Sequence, residues 1–247
     1  DFIGRDFVRQ LGDLGIAMRV STKDDAPTGI SVVFVTPDGQ RTMFTSLGAS
    51  VDLSVEHLDF PTIAGGSCFY ATAYLWGMPK SRDALVTAVK AGRLAGAKIA
   101  FDIADAEVVK SSGRAILDWV HGAVDVLFAN EQEIRSLARL IPGDHADSQI
   151  EVVCEVLARL VPTLVVKLGA AGCLVWEGGS VAARSQGIDV YTHDTTGAGD
   201  SFAAGYLYAM LNGADPADSA SLGNRVGAAI VQVDGCNYSA VSSKFAL

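Results

Sequence analysis

The string Asp194-Thr195-Thr196-Gly197-Ala198-Gly199-Asp200-Ser201-Phe202 sets two carboxylates on either side of a short threonine, glycine and alanine loop. An apolar run suited to a helix follows, from Phe202 to Leu211, and a strand-like segment at 188–191 precedes it. A loop that opens a helix presents unbonded backbone N–H groups and the positive end of the helix dipole, so it attracts an anion. Gly197 and Gly199 let the backbone come close to that anion. Asp200 falls at the helix start, where a carboxylate can take the proton of a hydroxyl attacking a phosphoryl group. A generic Gly-Asp pair would only cap a helix and make a turn; the full string is far more specific. Two other phosphate-binding patterns are excluded. No G-x-x-x-x-G-K-[ST] occurs, and Phe202 stands where G-x-G-x-x-G needs its third glycine.

The string resembles the second signature of the ribokinase-like, or PfkB, sugar and nucleoside kinases. The resemblance implies an ATP-dependent kinase that transfers the γ-phosphoryl group to a hydroxymethyl of a sugar or nucleoside. It implies that Asp200 is the catalytic base and that the amides of Gly197, Ala198 and Gly199 form the hole for the transferring group. It places Thr195 with the nucleotide. Asp194 and Thr196 resemble part of the family's monovalent-cation site, which makes K⁺ a candidate ion beside Mg²⁺. The other half of that site, in the C-terminal loop, is poorly matched by Asn237-Tyr238-Ser239.

Further candidates lie upstream and downstream. Asn130-x-x-Glu133 follows a buried-strand pattern and reads either as a capping box or, beside such a loop, as a hard-ligand pair for Mg²⁺. In the family this pattern lies near the nucleotide phosphates, with Glu133 reaching the metal directly or through water. Lys167-Leu168-Gly169-Ala170-Ala171-Gly172 is either a tight β-β turn or the family's nucleotide-side turn. In the second case Lys167 approaches phosphate, and Gly169 and Gly172 line the nucleotide. Asn224, in Asn224-Arg225-Val226-Gly227-Ala228-Ala229, corresponds to an asparagine beside the adenine. Asp102-Ile103-Ala104 stands where many relatives have Asp-Pro-Asn, so one amide contact is lost.

Arg41 and Tyr74 are the expected contacts for the acceptor, although Tyr74 and Trp76 are also plausible core residues. Residues 35–43, with Leu47-Gly48-Ala49 and Tyr74-Leu75-Trp76, are similar to bacterial adenosine-kinase-like members. The Asp194-Thr195-Thr196 step is similar to the sugar kinases. Adenosine, another nucleoside or a sugar all remain open as acceptors. A non-catalytic nucleotide- or sugar-binding relative is the competing class, and the intact Asp200 weighs against it.

The elements that must hold these groups alternate. Strand patterns occur at 30–35, 40–45, 67–71, 99–103, 124–129, 164–168 and 173–176. Helix spacing occurs at 5–14, 84–95, 134–140 and 150–160. Thr36-Pro37-Asp38-Gly39 is a turn signal between the first two strands. Apolar strands alternating with helices imply a mostly parallel, doubly wound sheet with helices on both faces, and ligands at the strand carboxyl ends. The expectation is a single α/β domain over residues 1–247, with residues from about 16 to 48 contributing to a small β lid. In the family, further strands and a substrate-holding glycine pair lie upstream of the segment that opens here at Asp1, so the chain is expected to lack them.

The 247 residues carry a net charge of −9 and are 49% hydrophobic, enough for a large core. An acidic chain is a poor partner for nucleic acid or an anionic membrane. No apolar run is long enough to span a bilayer and no signal peptide is visible. The four cysteines lack metal spacing and read as buried thiols in a reducing cytoplasm. The four histidines lack partner spacing. The expected partner is a small molecule, with homodimerisation as in the family.

Overall fold

A computed structural model of the chain describes residues 1–36, 41–143 and 145–241. Helix α1 (Phe2–Asp13) is followed by the strands β1 (Ile30–Val35) and β2 (Arg41–Ser46). Then come α2 (Phe60–Gly65), β3 (Cys68–Thr72), α3 (Pro79–Leu94), β4 (Lys98–Asp102), α4 (Ala106–Ala123) and β5 (Val126–Asn130). Helices α5 (Glu131–Ala138) and α6 (Ile150–Leu157) precede β6 (Thr163–Lys167), β7 (Cys173–Glu177) and β8 (Ser180–Ser185). The last elements are α7 (Ala198–Leu211), α8 (Pro216–Ile230) and the short α9 (Tyr238–Val241).

Six strands form one sheet in chain order, β3-β4-β5-β6-β7-β8. β3 to β6 run parallel, and β7 and β8 return antiparallel. Because successive strand side chains point to opposite faces, each strand divides its residues between two cores. One face carries Ile99, Phe101, Leu127, Ala129, Leu164, Val166 and Leu174, packed against residues of α3, α4, α5 and α6. The other carries Ala100, Val126, Phe128, Val165 and Cys173, packed against Phe202, Ala203, Tyr206 and Leu207 of α7 and Ala220 of α8. The fold is therefore α/β with a mostly parallel sheet and helices on both faces. The Tyr206 ring meets Phe128 edge-on at 5.5 Å, anchoring α7 across the middle of the sheet.

β1 and β2 form a separate antiparallel pair in which Val32 opposes Phe44. Its rings Phe34 and Phe44 touch edge-to-face at 5.8 Å yet are 60% and 64% exposed. The expected turn at Pro37-Asp38-Gly39 lies outside the described residues.

One expectation is corrected. The segment 188–191 forms no strand. Ile188 and Tyr191 are exposed and pair with no strand among the described residues, so β propensity alone does not hold them. In its place β8 completes the sheet edge from Ser-Val-Ala-Ala-Arg-Ser, a weak strand former. The two-residue hairpin Gly178-Gly179, both residues at positive φ, brings it back along β7. No helix among the described residues is long and apolar enough to cross a membrane.

Candidate active site

Helix α7 begins inside the glycine loop. Gly197, at φ 73°, is its N-cap, and no side chain caps it. The first-turn amides are thus not covered by a capping hydroxyl or carboxylate, unlike those of α5 and α8. The Ala198 amide donates to the Thr195 carbonyl at 3.2 Å. Asp200 lies in that first turn and keeps an exposed surface. The loop itself is tied down by Asp194, which is buried. One carboxylate oxygen of Asp194 accepts from the Thr196 amide at 2.8 Å and hydroxyl at 2.7 Å, and the other from the Gly235 amide at 2.9 Å. The loop before α7 and the loop after α8 are thereby joined.

The sheet delivers the facing groups. In register, Tyr70 pairs with Ala100, and Asn130 with Lys167. Tyr70, Asp102, Asn130 and Lys167 therefore all share the α7 face, at or near the carboxyl ends of β3, β4, β5 and β6. The Lys167 ammonium donates to the Asp102 carboxylate at 2.6 Å, with both side chains largely buried. The Tyr70 hydroxyl lies 3.5 Å from the same carboxylate oxygen. The Lys167 ammonium also abuts Gly199, where a Cβ would sit only 3.2 Å from it.

Asn130 caps α5 and forms the capping box anticipated in the sequence. Its side-chain carbonyl accepts from the Glu133 amide at 2.9 Å, while its own amides donate to the two Glu133 carboxylate oxygens at 2.8 and 2.6 Å. Glu133 is 2% exposed. Burial pushes its carboxyl up to about 7, against the Asn130 backbone hydrogen bond and the charge of Lys167. Burial, then the Asp102 charge, also raises Asp200 above the ordinary aspartate range. Lys167 and a hydrogen bond from Tyr70 pull it back down. One ammonium thus stands among three carboxylates.

The remaining candidates are dispersed. Gly169, at φ 60°, borders open space. Gly172 is structural: at φ 95°, a Cβ there would strike the Ser185 carbonyl. The Asn224 side-chain amide donates to Ser185 and Gln186, tying α8 to the end of β8. The Tyr74 ring is exposed and its hydroxyl donates to the Ala104 carbonyl at 3.3 Å. Trp76 belongs to the core, 4.9 Å from Trp119. The side chain of Arg41 lies outside the described residues. Cys236 departs from the expectation of buried thiols: it is exposed, since it follows α8 on a loop at the protein surface. Among the described residues no three His, Cys, Asp or Glu converge as a metal cage.

The sequence marks Asp102 only through the Asp102-Ile103-Ala104 departure and does not mark Tyr70 as a site residue. The available signal is a carboxylate ending the apolar run Ile99-Ala100-Phe101, which burial obliges to find a partner.

Comparison with known proteins accords with this geometry. A family model described as "pfkB family carbohydrate kinase" matches residues 1–243. The 2-dehydro-3-deoxygluconokinase of Thermoproteus tenax is 28% identical over 247 residues, spanning 96% of this chain and 73% of the relative. The crystal structure of adenosine kinase from Sinorhizobium meliloti superimposes with a TM-score of 0.90 at 28% identity, covering 98% of this chain and 75% of that one. A probable sugar kinase from Rhizobium etli CFN 42 gives a TM-score of 0.91 at 27% identity, covering 99% and 74%. With that match running almost end to end, this chain belongs to the pfkB family of carbohydrate kinases, phosphotransferases that use an alcohol group as acceptor.

Proposed function

We propose that the protein transfers the γ-phosphoryl group of ATP to a hydroxymethyl of a sugar or nucleoside, with Asp200 as the base. The observation that carries this reading is the placement of Asp200 in the uncapped first turn of α7, a turn whose Gly199 faces the Lys167 ammonium. Asp200 takes the acceptor's hydroxyl proton as the oxygen attacks phosphorus. Burial and the Asp102 charge raise its proton affinity above the ordinary aspartate range, which strengthens it as a base. The amides of Gly197, Ala198 and Gly199, together with Lys167, meet the charge on the transferring group. Since the Ala198 amide also serves Thr195, Gly197 and Gly199 are the stronger donors.

Gly169 and Thr195 border the nucleotide, and Gly172 and Asn224 hold that wall in place. Glu133 and Asn130 suit a hydrated Mg²⁺. Each Glu133 oxygen takes one hydrogen bond and keeps a lone pair, and Mg²⁺ favours one or two carboxylates with water and phosphate. When bound, Mg²⁺ would neutralise charge on the β- and γ-phosphates. Asp194 and Thr196 are the place for a monovalent cation such as K⁺. Both Asp194 oxygens already accept protein hydrogen bonds, and no step above depends on that ion.

Residues from about 16 to 48 act as a lid that excludes water, which would otherwise compete as acceptor. Arg41 and Tyr74 contact the acceptor, and the exposed Phe34 and Phe44 support a homodimer through the lid sheet. A 2-dehydro-3-deoxygluconokinase and an adenosine kinase are both 28% identical to this chain, which supports an acceptor in the sugar or nucleoside class, adenosine included.

The test is a coupled ADP-release screen with Mg-ATP against sugars and nucleosides, run beside Asp200→Asn. Turnover on one acceptor that collapses in the variant supports the reading. ATP binding without turnover on any acceptor would favour a non-catalytic binding protein.

A further inference from the structure

We infer that Asp102 is a positioning residue for phosphoryl transfer: its buried carboxylate holds the Lys167 ammonium against Gly199 and away from Asp200 and Glu133. The inference rests on the kinase reading above and extends it to a residue that reading does not use.

Lys167 has three N–H donors on a flexible four-carbon stem. Its charge is felt by Asp200 and by Glu133, so both compete for it. Asp102 prevails at 2.6 Å because its carboxylate cannot turn away. Its other oxygen accepts from the Ala104 amide at 3.0 Å, in a turn that forces Ala104 to φ 57°. The Tyr70 hydroxyl abuts the Lys167-facing oxygen. At 1% exposure, Asp102 has no solvent to fall back on, so the pair holds together.

Two consequences follow. An ammonium pinned to Asp102 keeps donors for the γ-phosphate at Gly199. It also leaves the Asp200 carboxylate free of an ion pair with Lys167 and available to receive a proton. Were Lys167 to pair with Asp200, the base would be neutralised as an ion pair and the phosphate would lose its cation.

The experiment is a double-mutant cycle on nucleotide binding, which needs no acceptor. Calorimetry would compare Mg·AMP-PNP with Mg·ADP for the wild type, Asp102→Asn, Lys167→Met and the double variant. The wild type should bind AMP-PNP more tightly than ADP. Asp102→Asn should erase that preference, by about tenfold, and Lys167→Met should do the same. In the Lys167→Met background, Asp102→Asn should cost nothing more, because Asp102 acts through Lys167. Additive losses would overturn the inference, since they would mark a general structural role. If Asp102→Asn does not fold with its ammonium unpaired, the charge-free double variant against Lys167→Met answers alone. Equal preferences support the inference and a further loss overturns it. A wild type that binds both nucleotides but shows no preference refutes only this inference; one that binds neither refutes the kinase reading as well.

Discussion

The Cys236 sulfur lies 2.5 Å from the point that a Cβ on Gly197 would occupy. Gly197 also holds φ 73°, so the residue opening α7 is constrained twice, by its own backbone and by the loop after α8. Gly197→Ala should therefore lower stability by about 1–2 kcal/mol from the left-handed backbone alone, and more from the clash. Thermal unfolding should fall by roughly 2–8 °C. Gly12→Ala is the control. A Cβ there meets nothing within 4 Å inside α1, and stability should rise by about 0.5–1 kcal/mol. If both variants melt at the wild-type temperature, the loop is not constrained as described.

Ala104 is the one residue other than glycine at positive φ among the described residues. Its turn exists to bring its amide to Asp102. Ala104→Gly should relieve that strain and raise stability by about 1 kcal/mol, read as a denaturation midpoint shift at constant slope. Ala104→Asn should also stabilise, because asparagine tolerates the left-handed region better than alanine. A destabilised glycine variant would mean that the turn is unstrained.

Asp200 must be ionised to act as base, and burial with Asp102 lifts it above the usual aspartate value near 3.8. The acidic limb of kcat/KM should accordingly fall at a pH above that value, with activity rising as Asp200 loses its proton. Asp200→Asn should reduce kcat by roughly 10²–10⁴ and flatten that limb. A variant with full activity, or one keeping the same limb, would remove Asp200 from the chemistry.

Glu133 carries a stability signature of its own. Its folded carboxyl titrates near 7, above the ordinary 4.5, so the fold favours the protonated form. The stabilisation is complete below about 4.5 and is lost as pH rises through about 7. Without metal or nucleotide, the stability difference between wild type and Glu133→Gln should shift against the wild type across that window. Chemical denaturation at several pH values measures it, and a flat difference would show that Glu133 is not desolvated.

Much of the fold is legible locally. The runs Ile99-Ala100-Phe101 and Leu164-Val165-Val166 carry too many consecutive apolar residues for a one-faced strand, and both are buried on two faces. The Asn130–Glu133 capping box is legible for the same reason, since both partners lie within one helical turn. The 188–191 strand fails because Ile-Asp-Val-Tyr has the propensity but no neighbour. β8 escapes notice because Ala182-Ala183-Arg184 has a neighbour but little propensity.

The amino-acid sequence by itself determined the glycine loop, the aspartate one turn into α7 and the order of strands and helices. These rest on backbone sterics, capping and periodicity, which act within a few residues. Only the tertiary structure decided that Asp102 meets Lys167, a contact across 65 positions. That meeting depends on β5 lying between β4 and β6, and on a register that turns both side chains toward α7. A slip of one residue in either strand would send its side chain to the opposite face.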